Sequence, residues 1–281
     1  MTGDNASAPQ HTVPASADEA GLRSIAKVYF AIVGAIGLLT GVVLLAVPGG
    51  TGDYFPWQIT TLQHAIFMGA GYLGTGITLF ILLFMGRTWS DVRLIIPPIA
   101  VFASVMIITT LAHADRFRWD RAVTWVWISL YFVILIGAMG LALAHRGRAR
   151  ASAPLTNGER VAIFLVGTMT TAWALSLYIL PAVGETLWPW ALTPLNGRVA
   201  AGWIAVAGAL ALAAGSANDS RSLRLPVLGW TITVVLFLLT SIGVLLAGLN
   251  DPRALVYFGS LALSVIGSVW LLGRIQRRLT A

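Results

Sequence analysis

The chain contains no cysteine, which excludes disulfides, thiolate metal sites, iron–sulfur clusters and thiol nucleophiles. Charge is also scarce. Only 10% of the 281 residues are Asp, Glu, Lys or Arg and 57% are hydrophobic, whereas a soluble domain carries about 25% charged residues. The first 22 residues have no basic n-region, so they read as a disordered tail and not as a cleaved signal peptide. No soluble, arginine-rich segment interleaves with aromatics, which argues against nucleic acid as a partner. One further absence bears on mechanism. No Asp, Glu, Lys, Arg or His falls near the middle of any long apolar run, so the usual mark of proton relays and ion-coupled carriers is missing.

What is present is a series of apolar runs long enough to cross a hydrocarbon core. Such a run needs about 17–25 residues. Eight are expected, near 27–47, 64–84, 94–112, 123–144, 160–180, 198–214, 226–248 and 255–273, with the sixth the shortest. The net charge of +7 is distributed unevenly. With the N-terminus placed in the cytoplasm, thirteen Lys and Arg fall on inner segments and five on outer loops. That bias predicts cytoplasmic termini and contact with anionic lipid.

The chain also repeats itself. A shift of 133 residues aligns Gly34 with Gly167, Pro48 with Pro181, Pro56 with Pro189, Trp57 with Trp190 and Gly69 with Gly202. Beyond the second span the shift becomes 131 and pairs Arg93 with Arg224 and Asp120 with Asp251. The expected fold is therefore an all-α membrane protein of eight transmembrane helices, arranged as two parallel four-helix repeats. A pseudo-twofold axis along the membrane normal would relate them. Residues 1–22 form a tail, 23–144 the first repeat, 145–159 a basic cytoplasmic linker, 160–274 the second repeat and 275–281 a basic tail.

The duplicated stretch "YFPWQITTL" and "LWPWALTPL" begins at Tyr54 and Leu187. Thr193 followed by Pro194 predicts an N-cap and first helical residue, with Thr60 capping the matching helix. The rings of Phe55, Trp57, Trp188 and Trp190 are expected at headgroup depth, with wet indole N–H groups. The pattern W-P-W-x-L-T-P-L-x-x-R, from Trp188 to Arg198, resembles one in a group of multi-span bacterial membrane proteins with no assigned activity. The resemblance covers one loop and one helix start. It implies a bacterial inner membrane and assigns no residue a role. In the first half Phe55, Thr61 and Ala65 depart from the pattern.

Candidate chemistry gathers on the outer face. Arg198 lies early in its helix, where the dipole disfavours a cation, and wants a partner such as Glu185, Asp251 or a bound anion. Asp120 and Asp251 occupy equivalent positions before spans four and eight, and Asp251–Pro252 reads as a cap with first-turn proline. Trp57, Trp188 and Trp190 would wall a cleft beside these charges. His64, His113 and Asp115 are weak candidates for metal ligation, and no metal or other cofactor is expected. "GAGYLG", Gly69 to Gly74, matches a dinucleotide motif but lies inside a span. It is read instead as a helix face thinned for packing, like Gly37 and Gly41.

The best functional reading is binding or transport of an anionic amphiphile or small solute through an outward-facing cleft between the repeats. Membrane lipids are the expected partners. The alternative is a non-catalytic scaffold that holds a protein partner or a second copy of itself. An outer-face enzyme using His113, Asp115 or Glu185 ranks below both, since its acid and base groups are scattered.

Overall fold

The structure, a computed structural model, describes residues 24–145, 154–247 and 251–280. These residues form helices and connecting turns, and eight of the helices are long and apolar enough to cross a membrane. They are labelled α1 (Ser24–Ala46), α2 (Leu62–Met85), α3 (Trp89–Ala112), α4 (Ala122–Ala144), α5 (Asn157–Ile179), α6 (Pro194–Ala217), α7 (Ser220–Thr240) and α8 (Pro252–Thr280). The expected tail at 1–22 and most of the linker, with Arg146, Arg148 and Arg150, lie outside the described residues.

Helix ends follow from local chemistry. The Thr193 hydroxyl accepts the Asn196 N–H at 3.2 Å, and Pro194 opens α6. That extends the expected short sixth span to 24 residues. Asp251 accepts the Arg253 N–H at 2.9 Å at the start of α8. Thr60 does not cap α2. The helix begins one residue later, behind Thr61, whose hydroxyl donates to the Ala191 carbonyl at 3.1 Å. The seventh span stops at Thr240, short of the expected 248, and a separate turn of helix follows over Ile242–Ala247. The eighth runs through to Thr280, so residues 275–280 belong to it and not to a separate tail.

Proline shapes α3 and α7. Pro97 and Pro98 remove two N–H donors to the preceding turn, and Arg93–Ile95 tightens into a 3-10 turn. Pro226 lies inside α7. Glycine sets how closely helices approach. A Cβ on Gly41 of α1 would collide with the backbone of Leu73, and one on Gly76 would lie 2.6 Å from the Leu38 nitrogen. The glycines of "GAGYLG" behave as expected: Gly69 meets Leu45, Gly71 the Trp203 ring and Gly74 Thr233.

Neighbours in the bundle are not all neighbours in sequence. Helix α1 packs along α2, α5 along α6, α3 against α4 and α7 against α8. Two further pairs cross the chain, α2 with α7 and α3 with α6. Thus α2, α3, α6 and α7 form the middle, while α5 and α8 bury little of their surface, as lipid-facing helices do. One end of the bundle carries the loops with Trp57 and Trp190, hereafter the aromatic end. The other carries Arg93 and Arg221, the basic end.

Candidate functional site

At the aromatic end, the Phe-Pro-Trp and Trp-Pro-Trp turns fold back over the bundle. Phe55 and Trp188 precede proline and are extended, with ψ of 156° and 142°. The expectation that these rings lie against lipid with wet indole N–H groups is overturned. Phe55, Trp57, Trp188 and Trp190 are all buried. Trp57 packs against Phe117 and Trp127 at 5.1 and 5.2 Å between ring centres, and Trp188 and Trp190 both pack against Tyr257 at 5.4 Å. Each aromatic ring carries a large apolar area, and edge-to-face contacts add about 0.5–1.5 kcal/mol per pair. A ring that finds several aromatic partners therefore does better inside than at the interface. The two turns also meet: the Trp57 indole donates to Asn196 Oδ1 at 3.2 Å.

The expected outer charges do not converge. Arg198 donates to His113 Nε2 and to the Tyr178 carbonyl, and its guanidinium stacks over the Tyr178 ring at 5.6 Å. This arrangement needs a neutral His113 with its proton on Nδ1. Burial, and then the Arg198 guanidinium beside it, hold the His113 ring below its ordinary 6.5. Asp251 serves its own neighbour Arg253 at 2.7 Å, which keeps its carboxyl below the usual range. Asp120 is exposed and forms no ion pair among the described residues. The side chain of Glu185 lies outside the described residues.

Among the described residues no three His, Asp or Glu side chains gather where a metal could bind. His64 is buried against Phe67 with neither ring nitrogen hydrogen-bonded, while Asp115 forms an exposed pair with Arg116 at 3.1 Å.

The basic end holds an arrangement the sequence reading passed over. Asp91-Val92-Arg93 recurs 128 residues later as Asp219-Ser220-Arg221. The two triplets bind crosswise: Arg93 reaches Asp219 at 3.4 Å and Arg221 reaches Asp91 at 3.2 Å. Asp219 is only 1% exposed and also accepts the Ser222 hydroxyl at 2.6 Å. Nearby, Glu159 caps α5 and binds Arg274 and Arg278 of α8. The pattern D-x-R occurs three times, at Asp91, Asp219 and Asp251, and the first two, each at the start of a span on the basic end, form the crossed pair.

Between these two ends lies a cavity. It encloses about 110 Å³ and draws its walls from α1, α2, α3, α4, α6 and α7. Among the described residues no charged side chain lines it. Ile36, Ile99, Leu130, Ile134 and Val206 give it aliphatic walls. Tyr72, Phe102, Trp127, Tyr131, Trp203 and Trp230 add aromatic ones. The Tyr72 and Tyr131 hydroxyls bond each other at 2.5 Å. On one flank the wall is formed by α1 and α4, which barely touch except near the bond from the Tyr29 hydroxyl to the Ile134 carbonyl, 2.8 Å. None of the candidate site residues read from sequence lines this cavity, although Gly37, read there as a packing glycine, does. The available signal was polar-tipped aromatics in mid-span, a costly placement without a role.

No protein-family model, curated protein or solved structure matches this chain.

Proposed function

We propose that the protein is a multi-pass membrane protein that binds a lipophilic small molecule in its central cavity and exchanges it sideways with the surrounding lipid. The carrying observation is the cavity itself: uncharged, aromatic-walled and flanked by two helices, α1 and α4, that scarcely pack. Apolar, aromatic walls with a few polar groups are the usual lining of a small-ligand site. This keeps the transporter-like reading and moves its site from the outer face to bilayer depth. The tryptophans that were to wall an outer cleft are packed away, and Arg198 is engaged by His113 and Tyr178. The cavity has no cation to offer, so its ligand is neutral where an anionic one was expected.

The wider setting belongs to the same proposal. Two four-helix halves stand about a pseudo-twofold axis along the membrane normal, with both termini cytoplasmic, in a bacterial inner membrane. The helix pairings support the duplication, since α1–α2 answers α5–α6, α3–α4 answers α7–α8, and α2–α7 answers α6–α3. The paired aromatic turns, which meet through the Trp57–Asn196 hydrogen bond, support it further. On this view the crossed charges tie the inner ends of α3 and α7, and exchange is a movement of one half against the other.

The test is ligand-dependent thermal stability of the purified protein with Val206→Trp beside it. Lipophiles that fit should raise the melting temperature of the parent and leave the variant, its cavity filled, unmoved. Equal responses from both would remove the cavity from the account.

A further inference from the structure

Three indoles line the cavity, and two of them are satisfied. Trp127 donates to the Thr110 hydroxyl at 3.2 Å and Trp230 to the Ser264 hydroxyl at 3.1 Å. The third, Trp203, is 3% exposed, and its buried N–H has no acceptor among the described residues. Its ring stands edge-on to Tyr72 at 5.2 Å and packs on Phe102 at 4.3 Å. The tyrosine pair leaves a second proton over. One hydroxyl donates to the other, and the receiving hydroxyl keeps an O–H for which no acceptor exists among the described residues. Of the four threonines lining the cavity, Thr78 and Thr233 spend their hydroxyl protons inside their own helices, on the Gly74 and Gly229 carbonyls, while Thr40 and Thr75 add two further hydroxyls to the wall.

Trp203, Tyr72 and Tyr131 all line this cavity, which therefore offers donors and asks for an acceptor. Buried donors are rarely left unmet, and an orphan in a native site calls for an explanation. Flat aromatic walls on α2, α3, α4 and α6 suit a ring. We infer that the cavity recognises an uncharged, ring-bearing lipophile through a carbonyl oxygen that accepts from Trp203 Nε1 and the spare tyrosine O–H. This rests on the cavity being the binding site, and it adds what the ligand must carry. An anionic headgroup is disfavoured, because no cation lines the cavity to meet its charge.

The experiment uses two probes of matched size on the full chain in detergent, decylbenzoquinone and decylbenzene, with affinity read by equilibrium titration. The parent should bind the quinone about tenfold more tightly, the worth of a buried hydrogen bond. Trp203→Phe should bring the two affinities within about twofold of each other while decylbenzene binding stays as it was, which also reports that the cavity is intact. Should that variant fail to fold, the double variant Tyr72→Phe with Tyr131→Phe should likewise lose affinity for the quinone only. Equal binding of both probes by the parent, or a preference that survives these substitutions, overturns the carbonyl inference and leaves the cavity standing. Binding of neither probe overturns the cavity reading, and this inference with it.

Discussion

Gly71 and Gly74 lie one turn apart on α2 and meet two different helices, the Trp203 ring on α6 and Thr233 on α7. A Cβ at position 71 would stand 2.8 Å from that ring. Gly71→Ala should cost about 1–3 kcal/mol in an unfolding titration, since the ring must move or the helices must part. This role was legible, because three glycines on a mid-span helix have no use except closeness. The fate of the tryptophans was not. An indole suits an interface and a core alike, and only the fold-back of the turns, with Trp127 and Tyr257 waiting beneath, decides between them. Nor could sequence supply the partner of Arg198. His113 stands 85 residues away and carries no charge to advertise the contact. Its depressed basicity has a sign that can be checked. Near pH 6.5 the unfolded chain takes up a proton that the folded chain resists, so stability falls as pH drops below that value. Asp115 and Arg116 act on the same ring in opposite senses. Thermal melts from neutral to acid pH should show this loss, and His113→Gln, which can still accept from Arg198, should flatten it.

At the scale of helices, the spans were readable because an apolar run of about 20 residues has one stable fate in lipid. Their ends depended on caps and breaks a hydropathy count does not register, as at Ser241 and along α8 to Thr280. The crossed charges between the starts of α3 and α7 illustrate how burial outweighs symmetry. Arg93 faces a buried carboxylate on Asp219, while Arg221 is 46% exposed and faces the more accessible Asp91. Arg93→Gln should therefore destabilise by about 3 kcal/mol, as breaking a buried pair does. Arg221→Gln should cost under about 1 kcal/mol. Chemical denaturation of the two variants side by side would reveal the difference, and equal costs would mean that the two pairs share one environment.

At the scale of the whole molecule, the cavity could not be seen along the chain because six helices contribute to it and few of its residues are neighbours in sequence. Its ingredients were nonetheless visible as tyrosines and tryptophans in mid-span, where a polar tip must find a partner. The account stands or falls on whether something occupies that space in the membrane. Native mass spectrometry of the protein, released gently from its own bilayer with Val206→Trp treated identically, addresses this directly. The parent should carry an added neutral mass that the variant lacks. A parent as bare as the variant, or a variant that keeps the same added mass, would contradict the account.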